Sequence, residues 1–360
     1  MTMNNRLFLD VYAIQTVPPS NINRDDTGSP KTAQFGGVRR ARVSSQSWKR
    51  AIRKYFLDNS AEKNVGIRTL EIVRYLADKI RERDSSKSEE EAMQLAEETF
   101  AAAKISTKDH KAKALFFLGE TQADRLVEAA LAGNKDKKEI QSILKENPSI
   151  DIALFGRMVA DDPSLNEDAS CQVAHSISTH EVKTEFDFYT AVDDLAPEDN
   201  AGAGMIGTIE YNSSTLYRYA NVAVHELEKQ MKGQGKLEES LQLFIEAFVK
   251  SMPTGKVNTF GNQTLPQALL VVLRQDRPVN LVSAFEQPVT SKKGYVNPSI
   301  QRLFEEEKKV EKFVEKPLQA FFVGPDEFHL EEKDGVEVEE SLPDLLRSFS
   351  EALEKFPVEE

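Results

Sequence analysis

Cysteine and long apolar runs are the two features that this 360-residue sequence has least of. The single cysteine, Cys171, excludes a disulfide within the chain and fits a reducing compartment. No stretch approaches the ~20 consecutive apolar residues that span a bilayer, and the first residues, MTMNNRLFLDVYAI, lack the basic and apolar regions of a secretion signal. We therefore expect a cytoplasmic protein with no membrane partner and about two domains.

Basic residues are in the minority, because 46 lysines and arginines stand against 59 acidic residues and give a net charge of −13. That balance alone disfavours a nucleic-acid partner, but the charges are unevenly distributed. Residues 301–360 hold 18 acidic and 8 basic residues, whereas residues 28–57 contain no acid at all. The basic residues of this acid-free run are Lys31, Arg39, Arg40, Arg42, Lys49, Arg50, Arg53 and Lys54. Such a run favours a polyanion site over a merely solvated basic surface.

The acid-free run ends in a predicted amphipathic helix. Ser44 and Ser45 provide the N-cap of a helix over residues 46–55. At 100° per residue, one face carries an amide and three cations, and the opposite face is apolar. The polar face consists of Gln46, Lys49, Arg50 and Arg53, and the apolar face of Trp48, Ile52 and Tyr55. Cations one turn apart lie about 6 Å from each other, a spacing that suits successive phosphates of a single strand.

The order of predicted elements indicates an α+β fold. Strands are expected over residues 7–14 and 38–43, near 173–195 and near 208–224. A helical insertion is expected over about 59–147, with further helices near 236–251, 298–316 and 343–355. Strand, helix, inserted helices and further strands fit an α+β sandwich better than a doubly wound sheet.

A projecting hairpin is predicted within residues 181–210. Its first strand alternates apolar and polar residues and places Tyr189 on the polar face. A Gly-rich tip follows and carries two apolar side chains, Met205 and Ile206. An exposed tyrosine is common on any strand, but an aromatic and an aliphatic residue on one hairpin also favour a wedge between nucleic-acid bases.

Several ordered motifs resemble the RAMP-superfamily backbone subunit of Cascade, the type I-E CRISPR surveillance complex. They are NRDD (Asn23–Asp26), FGGVRRARVSSQSWKRAIR (Phe35–Arg53), DIALFGRM (Asp151–Met158), AHSISTHEV (Ala174–Val182), FYTAVDDL (Phe188–Leu195) and LYRYANV (Leu216–Val222). SAFEQPV (Ser283–Val289) and NPSIQ (Asn297–Gln301) are also similar. The order and spacing of these blocks make the resemblance specific, whereas the helical insertion and the acidic C-terminal segment agree only in placement.

The resemblance implies an RRM-like (ferredoxin-like) palm with inserted helical fingers and a β-hairpin thumb. The implied segments are 1–58, 148–180 and 210–300 for the palm, 59–147 for the fingers, 181–209 for the thumb, and 301–360 for an acidic helical extension of the palm. It also implies a non-catalytic protein whose copies form a filament along the spacer of a CRISPR RNA, kink that RNA periodically and present it to target DNA. Further implied partners are the large, small, repeat-processing and 5′-handle-binding subunits of Cascade and, indirectly, a recruited helicase-nuclease.

Three groups of site residues follow from the resemblance. Contacts to the RNA backbone are implied for Arg24, Lys31, Ser44, Gln46, Lys49 and Arg53, and the helix face adds Arg50. A wedge that displaces one base is implied for Met158, Tyr189 and Ile206, although Met158 on its own would be interpreted as a core residue. Steering of the DNA duplex is implied for Lys137, Lys138 and Lys145.

Two alternatives concern catalysis and metals. A metal-dependent RAMP ribonuclease could use Asp25 and Asp26, or the Asp193-Asp194 pair, to hold Mg²⁺ beside bound RNA, but adjacent acids in a loop more often cap turns. Cys171, His175 and His180 could bind a metal, but no fourth ligand completes a tetrahedron. No Gly-rich nucleotide motif is present either. We therefore expect no catalytic residue, no metal and no cofactor.

Overall fold

A computed structural model describes residues 6–60, 64–191, 194–195, 205–231, 234–326, 328 and 335–357. Its contacts divide the chain into two compact units. The first unit contains residues 1–52, 173–221 and 245–356, and the second contains residues 53–172, 222–244 and 357–360. This division does not coincide with the four segments that the resemblance implies, so the palm, fingers and thumb boundaries stay predictions.

Runs of strands are separated by runs of helices along the chain, and the predicted α+β class is confirmed. The strands are β1 (Phe8–Ser20), β2 (Thr32–Phe35), β3 (Val38–Val43), β4 (Ile67–Thr69), β5 (Thr107–Lys108), β6 (Lys111–Ala112), β7 (Phe116–Leu118), β8 (Cys171–Val173), β9 (Ser176–Ser178), β10 (Glu185–Ala191), β11 (Met205–Ala223), β12 (Ala268–Arg274), β13 (Gln319–Val323) and β14 (Glu337–Val338). The helices are α1 (Ser45–Asn59), α2 (Ile72–Arg83), α3 (Glu89–Ala102), α4 (Glu120–Leu131), α5 (Lys137–Lys145), α6 (Ile150–Phe155), α7 (Val224–Gln230), α8 (Leu237–Lys250), α9 (Val257–Phe260), α10 (Val296–Val310) and α11 (Leu342–Lys355).

One large sheet organises the first unit. Its strand order is β14-β13-β12-β1-β11-β9-β3-β2, and β8 and β10 also pair with β11. At its centre β1 and β12 are antiparallel, from Phe8 opposite Arg274 to Ile14 opposite Ala268. Both strands are almost wholly buried, as expected for strands that are covered on both faces.

The two faces of β1 are covered by different helices. Tyr12 and Ile14 share a core with Ile300 and Leu303 of α10, whereas Val17 shares a core with Trp48 of α1 and its neighbours. The alternation of side chains along a strand therefore assigns one helix to each face. α1 begins in this unit and continues into the second.

The second unit contains the helical insertion that the sequence predicts. Helices α2 to α5 supply a separate apolar core that includes Leu76, Phe100, Leu126 and Ile140. α3 begins with a capping box in which Ser88 and Glu91 satisfy each other's backbone N–H groups. None of the helices in the described ranges has both the length and the apolar character needed to cross a membrane.

A buried arginine fixes the start of α1 against the sheet. The Arg218 guanidinium on β11 lies 3.7 Å from the centroid of the Trp48 ring and 4.4 Å from that of Phe248. It donates to Gln15 Oε1 at 2.6 Å and to the Phe248 carbonyl. Complete burial lowers its pKa to about 9. The Trp48 indole N–H donates in turn to Ser176 Oγ at 2.8 Å.

We expect Arg218 and Trp48 to be energetically coupled. A desolvated cation–π contact is worth about 2 kcal/mol. The loss of unfolding free energy in the double variant Arg218→Met, Trp48→Leu should therefore be smaller than the sum of the losses in the two single variants by about that amount. Urea unfolding of the four proteins measures this coupling. Additivity to within about 0.4 kcal/mol would contradict the proposed role of the stack.

Candidate nucleic-acid interface

The first turn of α1 is built as the sequence predicts. The helix begins at Ser45, and the buried Ser44 precedes it with its hydroxyl 3.4 Å from the backbone N–H of Ser47. The Ser44 N–H donates to Asn23 Oδ1 at 2.8 Å. This bond ties the helix start to the loop that contains Arg24 and Lys31.

The burial of the side chains on α1 confirms its two predicted faces. Trp48 is 2% exposed and Ile52 is fully buried, whereas Gln46 and Arg50 are exposed and Lys49 is half-buried. Because the apolar side holds the helix on its core, the opposite side presents an amide and cations to solvent.

The acid-free run predicts that Arg53 has no acidic partner, but the structure pairs it with one. Within the second unit its Nε pairs with Asp151 Oδ2 at 2.9 Å, and its guanidinium donates to the Gly66 carbonyl at 2.9 Å. The same group lies 4.3 Å from the centroid of the Phe117 ring. A run that is acid-free in sequence is therefore not acid-free in space, because Asp151 is almost a hundred residues away. Binding of RNA by Arg53 stays a prediction.

Arg40 also belongs to the interior. It is fully buried and donates to the carbonyls of Phe35, Ser178 and Phe285 at 3.2, 3.0 and 2.7 Å. Burial lowers its pKa. Arg40 thus joins segments of the first unit that are distant in sequence, and it is not a surface cation.

The loop before β2 brings Arg24 and Lys31 close to the start of α1. Arg24 is exposed and forms a backbone bridge with Pro30, and the Lys31 N–H donates to the Asn23 carbonyl at 2.9 Å. Asp25 holds the turn, since its Oδ1 accepts from the Thr27 hydroxyl and from two backbone N–H groups. These hydrogen bonds lower the pKa of Asp25, and the bond from the Thr27 hydroxyl contributes most. Turn capping by Asp25 is therefore confirmed.

Met158 is not a core residue. Its side chain is 82% exposed, while Arg157 and Val159 on either side are 4% and 5% exposed. The Arg157 guanidinium donates to Gln122 Oε1 and to the carbonyls of Leu165 and Leu144. Two backbone hydrogen bonds between Arg157 and Glu167, at 2.9 and 2.8 Å, also hold the segment that carries Met158. Met158 is therefore an exposed apolar side chain on a rigid base of buried neighbours, which sequence patterning alone could not show.

The predicted hairpin forms from β10 and β11, with Glu185 opposite Tyr211 and Ala191 opposite Met205. Every residue of β10 is exposed, so the alternation in the sequence does not correspond to burial within the chain. Phe186 and Phe188 are 65% and 67% exposed.

Two of the predicted wedge residues lie on this hairpin. Tyr189, 41% exposed, is opposite Gly207, and a Cβ on that glycine would come within 2.5 Å of the Tyr189 ring. Gly207 therefore leaves room for the ring. Ile206 is opposite Thr190 in the backbone register, but its side chain and the tip at 196–204 are outside the described residues.

The three lysines predicted to steer DNA lie at the two ends of α5 and are exposed. Asp136 caps this helix through the N–H groups of Lys138 and Glu139. Lys137 has a lowered pKa, first through desolvation and then through the neighbouring cations of Lys104 and Lys145. Lys104 is a member of this cluster that sequence reasoning missed, because it precedes α5 by more than thirty residues.

The two histidines considered for a metal site contact other groups. The buried Cys171 is on β8, and His175 Nδ1 is 3.2 Å from the Arg42 guanidinium. His180 Nε2 accepts from the Thr215 N–H at 3.0 Å, so Nδ1 carries the hydrogen and donates to the Glu181 carbonyl at 2.7 Å. The described part of the chain contains no group of three His, Cys, Asp or Glu residues that could hold a metal ion. Asp194 is exposed, and Asp193 is outside the described residues.

Comparisons with known proteins agree with one another. A family model of CT1975-like proteins matches residues 9–348. A solved chain from a "CRISPR RNA-guided surveillance complex, pre-nicking" is 31% identical with a TM-score of 0.84, and the match covers 96% of this chain and 99% of that one. A second chain, from a "CRISPR RNA-guided surveillance complex", is 26% identical with a TM-score of 0.75 and the same coverage. No curated protein matches significantly.

Arg53 and Arg50 should differ in their contribution to stability. Arg53→Ala leaves the fully buried Asp151 carboxylate without its cation, so we expect a loss of about 3 kcal/mol in the free energy of unfolding. Arg50→Ala removes an exposed cation and should change stability by less than about 0.5 kcal/mol. Urea unfolding measures both. Equal losses for the two variants would show that the ion pair does not stabilise this unit.

Proposed function

Since the chain belongs to the CT1975-like protein family, we propose that it is the CRISPR RNA-binding backbone subunit of a type I-E surveillance complex. The match over nearly the whole of two chains from CRISPR RNA-guided surveillance complexes supports this role. The type I-E assignment rests on the sequence motifs that resemble the Cascade backbone subunit.

One observation carries the RNA-binding proposal. In a chain of net charge −13, cations and hydrogen-bonding groups collect at the start of α1 and in the adjoining loop. The proposed contacts to the RNA backbone are Arg24, Lys31, Ser44, Gln46, Lys49 and Arg50, with Arg53 as a further candidate. Such groups bind phosphates and ribose without reading bases. That property suits a protein that must hold guides of any sequence.

The backbone role requires several copies along one RNA. We propose that these copies form a filament on the spacer and leave the base edges free, so that pairing with target DNA supplies the specificity. The exposed β10 strand is suited to contact a neighbouring copy. Lys137, Lys138 and Lys145 are proposed to steer the DNA duplex. The other Cascade subunits and, indirectly, the helicase-nuclease are the proposed partners in the cytoplasm.

We propose that Met158, Tyr189 and Ile206 displace one base at regular intervals. Met158 is supported by its exposure on a rigid base, and Tyr189 by its position over Gly207. Unstacking costs a few kcal/mol per step, and stacking on apolar side chains returns about 1–3 kcal/mol per base.

Loss of a cation from α1 should weaken RNA binding for every guide sequence alike. For Lys49→Ala and Arg50→Ala we expect the slope of log affinity against log salt to fall by about 0.7 for each bound copy. Filter binding with two unrelated spacer RNAs measures this slope. The control is Lys309→Ala, which removes an exposed lysine paired with Glu306 on α10 and should not change the slope. A loss confined to one RNA sequence would contradict backbone binding.

Met158→Ala should leave the slope of log affinity against log salt unchanged, because it removes no charge. It should blunt the periodic pattern of bases that are reactive to chemical probing, since one side of the displaced base loses its apolar contact. Probing of the RNA bound to the assembled complex provides the measurement. Phe313→Ala, at an apolar residue that is 89% exposed, is the matched control. An unchanged pattern for Met158→Ala would refute the wedge assignment.

We propose that the protein does not cleave RNA, because Asp25 uses its carboxylate to hold a turn. The assembled complex incubated with Mg²⁺ and complementary RNA should therefore leave the RNA intact, and Asp25→Ala should behave as the wild type does. Denaturing gel electrophoresis of the RNA measures this. Cleavage that Asp25→Ala abolishes would establish the ribonuclease alternative.

A further inference from the structure

A small cavity lies in the first unit between β3, β11 and the loop that joins β1 to β2. Its volume is about 20 Å³, and it opens to solvent. The polar part of its lining includes Asn23, Lys31, Arg42, Asn212 and Ser214. A cavity of this size has room for about one water molecule. It can therefore receive a hydroxyl group, but it is too small for a phosphate or a base.

Two polar side chains of β11 line this cavity without hydrogen-bond partners. Asn212 and Ser214 are 8% and 7% exposed, and neither side chain is hydrogen-bonded to another of the described residues. Because side chains alternate along a strand, both lie on the same face as Leu216, which shares a core with Val17 and Val43 of the cavity wall. Their polar atoms are not sealed from solvent. An amide and a hydroxyl, which can each donate and accept, thus face a space that a ligand can enter.

Cationic groups meet beside the cavity. Arg42 Nη1 lies 3.2 Å from Nδ1 of the exposed His175. A guanidinium can only donate, so Nδ1 accepts and His175 Nε2 carries the hydrogen. Desolvation lowers the pKa of His175 first, and the charges of Arg42 and Lys31 lower it further. No carboxylate of the described residues forms an ion pair with Lys31 or Arg42. Two cations and an N–H donor thus converge without an anion of the protein, an arrangement that favours an anionic ligand.

The cavity adjoins the start of α1. Asn23 belongs to its lining, and Asn23 Oδ1 accepts from the Ser44 N–H at 2.8 Å. Lys31 belongs to the lining as well, and both Lys31 and Ser44 are proposed contacts to the RNA backbone. A strand bound by these residues therefore passes the mouth of the cavity.

From these observations we infer that the cavity receives a 2′-hydroxyl group of the bound strand and so selects RNA over DNA. Asn212 and Ser214 exchange hydrogen bonds with this hydroxyl, which can both donate and accept. Lys31, Arg42 and the Nε2–H group of His175 bind the phosphate next to it. The inference rests on the proposed RNA-binding function, because it names the chemical group by which the same site recognises RNA.

Three forms of one labelled single strand separate recognition of the hydroxyl from recognition of charge. They are RNA, its 2′-fluoro analogue and DNA, which carry the same phosphates. The 2′-fluoro form keeps the sugar pucker of RNA but cannot donate a hydrogen bond. We expect the full-length wild type to bind RNA about two- to tenfold more tightly than the 2′-fluoro form, the range that one hydrogen bond gives, and to bind DNA no better than the 2′-fluoro form. Equal affinities for RNA and the 2′-fluoro form would overturn the inference.

Variants of β11 locate this preference in the cavity. Ser214→Ala and Asn212→Ala each remove a partner of the hydroxyl, so the ratio of the RNA and 2′-fluoro affinities should fall towards one. The affinity for the 2′-fluoro form should stay at the wild-type value, which a misfolded variant would not show. Ser213→Ala is the matched control, because Ser213 is exposed on the other face of the strand. A wild-type ratio in both cavity variants would place the selection of RNA elsewhere and overturn the inference.

The cations should act on both sugars alike. Arg42→Ala and Lys31→Ala each remove a contact to a phosphate, so each should lower the slope of log affinity against log salt by about 0.7 per bound copy. The loss should be the same for RNA and for the 2′-fluoro form, and the ratio of the two affinities should not change. A slope equal to that of Lys309→Ala in both variants would overturn the phosphate contact.

Failure of the inference can be distinguished from failure of the proposed function. If the wild type binds RNA and Lys49→Ala weakens that binding, but RNA and the 2′-fluoro form bind equally well, only the hydroxyl site is wrong. If the wild-type chain binds none of the three strands in the presence of its neighbouring gene products, both are wrong.

Discussion

The position of α1 depends on the stack between the Arg218 guanidinium and the Trp48 indole, 3.7 Å apart in the interior of the first unit. A charge is expensive to bury, and here two ring faces and two oxygen acceptors contact the guanidinium. Because Trp48 is held on one side of the helix, Lys49 and Arg50 must project on the other. Contacts in the core thus determine the direction in which these cations project.

Arginine has two opposite uses in this chain. Arg40, Arg157 and Arg218 are buried and donate mainly to carbonyl oxygens, whereas Arg24, Arg39 and Arg50 are exposed. The planar guanidinium can satisfy several carbonyls at once, which lysine cannot do with the same geometry. A count of basic residues in the sequence therefore overestimates the number of cations that a polyanion can reach. The burial of each side chain must be known before it is counted.

Sequence periodicity predicted the parts of the fold that are local. The faces of α1 and the strand β3 over Val38–Val43 both follow from patterns within one element. The partners of Arg53 and Arg40 could not be predicted, because Asp151 and Phe285 are separated from them by about one hundred and two hundred and fifty residues. Met158 shows the same limit, since an apolar residue between two buried neighbours has no local feature that indicates exposure.

Periodicity also fails on β10, where apolar and polar residues alternate but every residue is exposed within the chain. The alternation of a strand records which face avoids water in the assembled state, and not necessarily within one subunit. Two phenylalanines more than 60% exposed on a two-stranded ribbon are an aggregation risk for an isolated protein. In the proposed filament, each copy would cover the ribbon of its neighbour and so remove that risk. The same exposure that makes the hairpin a poor element of a monomer would therefore serve the proposed filament.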